Sequence, residues 1–311
     1  MDSFTVAAVF SNHCVLQRGK NICIFGEGTD GNEVAVSLAD STGTVIRTNK
    51  ATVESKRWRT YLAPLPAQTG CSLTVSCNGV NKTFTDVAVG EVWLAGGQSN
   101  MEFELGNCTE GPAELANEKA PNVRFYYTQK ISWMDNTFFE SERKTSWQLW
   151  GDEWTKAWSA VGYFFAKQLA KDLGVTVGVI GCNWGGTSAS AWMDKAHLEK
   201  DSDLKTYLDE YDVATKGKSI DEQLKEFDAY EKFHADWQKK CDELFRKNPN
   251  IEWDEVQKII GQCQWPGPKG CKNPFRPCGL YDCMLRRVMP YSLKGFIYYQ
   301  GESYDHKPRF Y

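Results

Sequence analysis

Histidine is scarce in this sequence, and two kinds of segment are missing from it. Only four histidines occur in 311 residues. No apolar run reaches the roughly 18 residues that a membrane-spanning helix needs. The N-terminal stretch also lacks a basic segment followed by an apolar one, which is the pattern of a signal peptide. We therefore expect no membrane partner and no secretory leader.

Cysteine is present, but its number and spacing argue against disulfides and zinc. The chain has eleven cysteines, and an odd number does not fit a fully paired disulfide framework. The gaps between Cys263, Cys271, Cys278 and Cys283 exceed the spacing of about two to four residues that is usual in structural zinc sites. The pattern predicts free thiols in a reducing compartment, and therefore a cytoplasmic protein. The alternative is a secreted protein whose leader has been removed.

Positive charge is not in excess either. The chain carries 36 Lys and Arg residues against 40 Asp and Glu residues, a formal net charge of -4. Nucleic-acid binding requires a concentrated basic surface, so we expect no nucleic-acid partner. Aromatic residues, by contrast, are abundant, with 12 Trp and 13 Tyr. Enzymes that bind sugars use such rings as stacking platforms, although most rings in any protein belong to the core.

The chain divides into an all-β part and an α/β part. Over residues 1–88, short runs alternate apolar and polar residues between Gly, Asn and Asp breaks, which predicts an N-terminal antiparallel β-sandwich domain. Over 89–311, strand and helix patterns alternate, which predicts a parallel α/β domain that follows without a flexible linker. Charged residues with Leu and aromatics at helical spacing over about 195–261 predict two or three inserted surface helices. They form either a cap beside the site or a solvated decoration.

A candidate nucleophile, Ser99, follows the first strand of the α/β part. The run from Val89 to Ala95 is apolar and suits a strand buried on both faces of a parallel sheet. Ser99 follows a Gly-Gly-Gln segment, so it is expected at the carboxyl edge of the sheet, where open α/β sheets bind ligands. The alternative is a turn whose Ser and Asn cap the next helix. The G-x-S-x-G elbow of α/β-hydrolases is not matched, because Met101 occupies the position of its second glycine.

Two further strands are predicted to end in polar loops at the same edge. Residues 175–180 read as a buried strand that leads to Gly185 and Gly186, and residues 293–299 read as a third buried strand that ends at Gln300. Paired glycines let a backbone N–H approach a developing oxyanion. Taken alone, these glycines are better explained as a turn, but beside Ser99 the oxyanion role is favoured.

Three blocks of sequence resemble the sialate O-acetylesterase family, a branch of the SGNH hydrolases. The first is Gly90-Glu91-Val92-Trp93-Leu94 with Gly97-Gln98-Ser99-Asn100-Met101-Glu102. The second is Asn183-Trp184-Gly185-Gly186-Thr187 with Ala191-Trp192-Met193, and the third is Tyr298-Tyr299-Gln300-Gly301-Glu302-Ser303. Because the blocks occur in the family's order, the match is more specific than any one of them. The resemblance implies an SGNH-hydrolase-like, flavodoxin-like parallel sheet behind an N-terminal β-sandwich.

The resemblance also implies a reaction and a set of site residues. Ser99 would be the nucleophile, and the oxyanion hole would comprise the backbone N–H groups of Ser99 and of Gly185 or Gly186 with the side-chain amide of Gln300. Gln98, Asn100 and Glu302 would support these groups. The expected substrate is an O-acetylated carbohydrate, with sialic acids favoured and acetylated xylan or other glycans as alternatives. A catalytically inactive carbohydrate-binding relative is the competing interpretation. No metal or cofactor is implied.

A general base is the missing part. In the family it is a His preceded three residues earlier by an Asp, in a block well beyond the third. Asp194-Lys195-Ala196-His197 is the single match to that spacing, but it follows the second block directly. His306 beside Asp305 is a weaker candidate. The favoured expectation is that the Asp and His lie on a segment beyond Tyr311, supplied in cis or in trans.

Overall fold

The computed structural model describes residues 4–117 and 121–301. The N-terminal part is built from antiparallel strands whose residues alternate between core and solvent. In the strand over residues 57–62, for example, Trp58, Thr60 and Leu62 are buried and the residues between them are exposed, the period expected of a half-buried strand. The strands are β1 (Phe4–Val6), β2 (Val15–Gln17), β3 (Ile22–Gly28), β4 (Glu33–Ala39), β5 (Val45–Thr52), β6 (Arg57–Leu62) and β7 (Gln68–Cys77). β1, β3 and β6 form one sheet, and β5, β4 and β7 begin a second.

One long strand, β8 (Val80–Gly97), runs through both parts of the molecule. Its first half pairs antiparallel with β7, and residues 91–97 pair parallel with a strand of the α/β part. The expected boundary at residue 88 falls inside this strand. No linker separates the two parts, and the division into 1–88 and 89–311 stays a prediction.

The α/β part contributes the parallel strands β9 (Val123–Tyr127), β10 (Val177–Asn183) and β11 (Gly295–Tyr299). Their order across the sheet is β9-β10-β8-β11. Three short helices, α1 (Ser99–Glu102), α2 (Gly111–Leu115) and α3 (Asn136–Glu142), precede the longer α4 (Ala160–Leu173). These observations confirm the predicted α/β fold class, with a mostly parallel central sheet and a separate antiparallel sheet.

Local sequence signals set the ends of α4. The helix begins at residue 160, because Ser159 Oγ accepts the Gly162 N–H at 3.0 Å and caps it. It ends where Gly174 takes the left-handed conformation. One side of the sheet packs on this helix through a core that contains Phe125, Trp158 and other buried residues.

β11 exists as predicted, but the prediction that it is buried is wrong for the described residues. The side chains of Phe296, Tyr298 and Tyr299 are 67%, 59% and 48% exposed. β11 pairs with β8 on one side, and within 4–117 and 121–301 no strand pairs with its other side. An apolar pattern identifies a strand but does not fix its place in the sheet.

The insertion contains four helices rather than the two or three expected: α5 (Lys195–Lys200), α6 (Ser202–Thr215), α7 (Ile220–Lys247) and α8 (Trp253–Ile260). The additional break lies at Asp201, whose carboxylate accepts the N–H groups of Asp203 and Leu204 and so starts α6. A loop, a π-helical turn (Tyr281–Leu285) and α9 (Arg286–Val288) lead to β11.

All eleven cysteines lie in the described part of the chain and carry free thiols. No helix among the described residues combines the length and apolar character required to cross a membrane. The described residues also contain no group of three or more His, Cys, Asp or Glu side chains arranged to hold a metal ion.

Candidate active site

Ser99 lies at the carboxyl end of β8, as the sequence predicts. Gly97 just before it has a φ of +138°, and a Cβ added there would lie 2.1 Å from the carbonyl oxygen of Tyr299 on β11. Only glycine fits at this close approach. Gln98 is buried, and Ser99 begins α1 with an exposed side chain. The backbone N–H of Ser99, in the first turn of a helix, has no acceptor within the helix.

The second block comes into contact with Ser99. The N–H of Trp184 donates to the carbonyl of Gly97 at 3.1 Å, which attaches the loop after β10 to the end of β8. A Cβ added to Gly185 would lie 3.4 Å from the Cβ of Ser99. The structure therefore brings the predicted nucleophile and the predicted glycine pair together.

Gly185 is nevertheless engaged by another group. Its N–H donates to Glu102 Oε2 at 2.5 Å, and the other oxygen of that carboxylate pairs with Lys130. Among the described residues, no acceptor is bonded to the N–H of Gly186. Of the two glycines that the sequence could not distinguish, Gly186 is therefore the one whose N–H is available in this arrangement.

Gln300 reaches the site, but both hydrogens of its amide are already bonded. Its Nε2 donates to Gln98 Oε1 and to the carbonyl of Thr187, each at 2.7 Å. Because Thr187 offers a carbonyl oxygen, the amide must present its nitrogen there. Gln98 Oε1 also accepts the N–H of Gly301 at 3.3 Å. Gln98 and Gln300 thus join the loops that follow β8, β10 and β11. To bind the Gln300 amide, an oxyanion would have to replace either Gln98 Oε1 or the Thr187 carbonyl as acceptor.

The other predicted supporting residues are placed less fully. Asn100 is the second residue of α1 and is half-buried. Glu302 lies outside the described residues. The roles assigned to Ser99, Gly185, Gly186 and Gln300, and to these supporting residues, stay predictions.

Asp194 and His197 form a pair, but not with Ser99. His197 Nδ1 and Asp194 Oδ1 are 2.7 Å apart, and the same carboxylate caps α5 by accepting the His197 N–H. The hydrogen bond from His197 lowers the pKa of Asp194 below its ordinary value. The His197 side chain is 63% exposed. Within 4–117 and 121–301, no histidine is hydrogen-bonded to Ser99; His306 lies outside that range.

A second nucleophile close to the site is inert. Cys182 lies near the end of β10, where its backbone pairs with Gly96. Burial raises the pKa of this thiol to about 12, although a hydrogen bond with Thr128 works in the opposite direction. A thiol with so high a pKa holds its proton at neutral pH and does not attack esters.

Several neighbours of the site were not predicted. Glu102 follows Ser99 by three residues, so helical spacing alone places it on the same side. Lys130 and Thr187 carry no comparable signal. Two aromatic residues, Trp265 and Phe275, also approach Gly186: an added Cβ would lie 3.9 Å and 3.2 Å from their rings. They are distant in sequence and lie in a Pro- and Gly-rich loop, so no local pattern links them to Ser99.

The fold is that of α/β proteins with a mostly parallel central sheet, and it places the candidate nucleophile Ser99 at the carboxyl edge of that sheet. A crystal structure of a carbohydrate acetylesterase from Xanthomonas citri superposes with a TM-score of 0.62 at 24% identity, covering 96% of this chain and 52% of the other. This likeness shows the shared fold.

Within that class the family is specific. Residues 89–247 match the sequence profile of the family described as carbohydrate esterase, sialic acid-specific acetylesterase. The match covers half of the chain, and the chain belongs to this family, which confirms the resemblance seen in the three blocks. The sialate O-acetylesterases of Homo sapiens, Mus musculus and Rattus norvegicus are 28%, 25% and 22% identical to it. Each alignment covers 96% of this chain and 49%, 52% and 52% of those proteins, so the chain spans about half their length.

Proposed function

We propose that this chain carries the nucleophile and oxyanion hole of a serine esterase that removes O-acetyl groups from carbohydrates. The observation that carries the proposal is the exposed Ser99 beside Gly185 at the carboxyl edge of the sheet. Ser99 Oγ attacks the acetyl carbonyl, and the N–H groups of Ser99 and Gly186 stabilise the oxyanion. The general base takes the proton of the Ser99 hydroxyl and gives it to the departing sugar oxygen, and water then hydrolyses the acyl-enzyme to release acetate.

O-acetylated sialic acids are the favoured substrates within this proposal. The support is the family and the names of the rat, mouse and human relatives, all sialate O-acetylesterases. The Xanthomonas citri neighbour is described as a carbohydrate acetylesterase without a named sugar. Acetylated xylan and other acetylated glycans are the alternatives.

The general base is proposed to come from a further segment that packs against β11, in cis or in trans. Two observations support this. Ser99 has no histidine partner within the described ranges, and β11 presents the apolar side chains of Phe296 and Tyr299 to solvent. Covering that strand would place new side chains next to the loop that holds Gln300. The pair Asp194–His197 is the alternative base.

The decisive experiment compares the chain, its Ser99→Ala variant and a longer version of the protein. Hydrolysis of p-nitrophenyl acetate and covalent labelling by a fluorophosphonate are measured, with Ser41→Ala, an exposed serine in the β4–β5 turn, as the control. We expect labelling of the longer version that Ser99→Ala abolishes and Ser41→Ala preserves. Loss of a triad base costs several orders of magnitude in rate, so the 311-residue chain should be slow.

Each contrary result has a clear meaning. Full activity of the short chain that depends on Ser99 would identify Asp194 and His197 as the base. Labelling that survives Ser99→Ala would refute the assignment of the nucleophile.

A carbohydrate-binding protein without esterase activity is the second candidate function. It is favoured by the bonded state of the site, in which the Gly185 N–H and both Gln300 amide hydrogens already have acceptors. Binding of an acetylated glycan that Ser99→Ala leaves unchanged, without labelling of the longer version, would support it.

A further inference from the structure

An exposed tryptophan lies beside the candidate oxyanion hole, on the loop over residues 262–277, named here the platform loop. The side chain of Trp265 is 62% exposed. Exposed aromatic rings are common on protein surfaces, but this one offers an apolar face next to the candidate site.

Trp265 packs near Gly186, which directly follows the residue of the second block that lies next to Ser99. Its ring lies 3.9 Å from a Cβ added to Gly186, and the next residue, Gly185, would contact Ser99 in the same way at 3.4 Å. Ser99 and Trp265 therefore pack against successive residues of the same loop.

Aromatic contacts hold Trp265 in place before any ligand arrives. Its ring meets Phe275 edge-on, with centroids 5.2 Å apart and an interplanar angle of 77°. His234 on α7 lies 6.1 Å from it, and Tyr230 lies 5.7 Å from His234. One ring from α7 and one from the loop thus contact the exposed indole, and Tyr230 packs behind His234.

The backbone of the platform loop is also fixed. A Cβ at Gly267 would lie 2.4 Å from the Tyr230 ring, so the loop packs directly on α7. The buried Asn273 donates to the carbonyls of Gly267 and Pro268 at 3.2 Å and 3.0 Å and accepts the Phe275 N–H at 2.7 Å. A preformed surface binds a ligand without the entropic cost of ordering the loop.

We propose that Trp265, supported by Phe275, is a subsite for the pyranose ring of the acetylated sugar. The inference rests on the proposed function and names the part of the substrate that the platform loop recognises. The C–H groups of a pyranose give one face an apolar character that packs on an indole, while its hydroxyls stay in solvent at the rim. An ester that lacks a sugar ring would not stack on this surface.

Binding tests the subsite without requiring hydrolysis. Ligand-observed NMR titration uses the methyl glycoside of 9-O-acetylated N-acetylneuraminic acid and, separately, acetylated xylobiose, with the Ser99→Ala chain so that the ester is not cleaved. Adding Trp265→Ala should weaken the binding of at least one sugar about 10-fold or more, which corresponds to about 1.4 kcal/mol. Trp265→Phe should restore part of it, because a smaller ring still stacks.

The matched control is Trp154→Ala, since Trp154 is 58% exposed and makes no ring contact among the described residues. It should leave sugar binding unchanged. The subsite would be overturned if Trp265→Ala did not change the affinity of the Ser99→Ala chain for either sugar. It would also be overturned if the Ser99→Ala chain with Trp265 intact bound neither sugar.

Failure of the subsite and failure of the proposed function give different results. Fluorophosphonate labelling of Ser99 in the longer version, with Trp265 intact, reports on the nucleophile, because the probe carries no sugar. Labelling with no effect of Trp265 on sugar binding refutes only the subsite, whereas loss of labelling at Ser99 refutes the esterase.

Discussion

At the scale of single residues, Gly97 allows β8 to end close to β11, directly before Ser99. It is the last residue of β8, where the carbonyl of Tyr299 approaches so closely that no side chain fits. Its positive φ also removes it from the conformations that other residues readily adopt. The separation of β8 and β11, and therefore the distance between the first and third blocks, depends on this glycine.

Gly97→Ala should destabilise the protein by at least about 3 kcal/mol, because its Cβ would meet the Tyr299 carbonyl and force β11 from β8. The control is Gly151→Ala, which shares a positive φ of +90° but has no atom within 4 Å of its added Cβ. It should cost only the conformational strain of about 1–2 kcal/mol. Urea unfolding followed by circular dichroism measures both, and equal losses would contradict the steric argument.

At the scale of secondary-structure elements, an arginine on β9 clamps the segment before β2 to β8. Arg124 Nη1 donates to the carbonyls of His13 and Asp86 at 2.9 Å and 2.5 Å, and Nη2 lies 3.2 Å from Asp86 Oδ1. His13 and Asp86 both have positive φ, and their side chains are 2.7 Å apart. This cluster holds two strained residues and joins the all-β strands to the parallel sheet.

Arg124→Met should lower the free energy of unfolding by about 2–3 kcal/mol, because two backbone carbonyls and the Asp86 carboxylate lose their donor. Urea unfolding at pH 7 measures the change. Arg143→Met, an exposed arginine at the end of α3, is the control and should change stability little. A loss for Arg124→Met no larger than the control's would contradict the proposed clamp.

The same cluster predicts a pH dependence. Burial raises the pKa of Asp86, whereas hydrogen bonds and charge from His13 and Arg124 lower it. The lowering is the larger effect, so the pKa of Asp86 lies below its ordinary value. A lowered folded-state pKa gives stability that is present above the unfolded pKa of about 3.9 and is lost as the pH falls through the folded value. Asp86→Asn should therefore flatten the acid limb of the stability curve. The control is Asp236→Asn, which removes an exposed carboxyl on α7 and should leave the acid limb unchanged. If Asp86→Asn lost stability at acid pH as steeply as the unsubstituted protein, the linkage would be refuted.

At the scale of the whole molecule, the central sheet is covered unevenly. Its β10 strand is buried along its entire length, whereas β11 presents large apolar side chains to solvent. Contiguous exposed apolar surface on a strand at a sheet edge is a site for association with another segment or chain.

Phe296→Ser with Tyr299→Ser should reduce both the binding of the dye ANS and self-association in analytical ultracentrifugation. Because these side chains are exposed, the free energy of unfolding should change by less than about 0.5 kcal/mol. Val213→Ser, at a residue that is 76% exposed on α6, should alter neither. Unchanged dye binding, or a large loss of stability in the double variant, would contradict the exposed position of β11.

The sequence by itself determined most of the secondary-structure elements and the place of the candidate nucleophile. Alternating residues predicted the antiparallel strands, and Gly174 marks the end of α4. The three blocks of sequence identified the family. These are local features, because caps, turns and periodicity act over a few residues. The same local signals place Ser99 directly after a strand.

Only the tertiary structure decided which groups meet and which remain free. The engagement of Gly185 by Glu102, the bonding of Gln300 to Gln98 and Thr187, and the approach of Trp265 to Gly186 join residues far apart in the chain. Long-range contacts of this kind depend on how strands are ordered and how loops pack, which no short sequence window encodes. For the same reason, the apolar pattern that predicted β11 could not show that the strand would lie at an exposed edge.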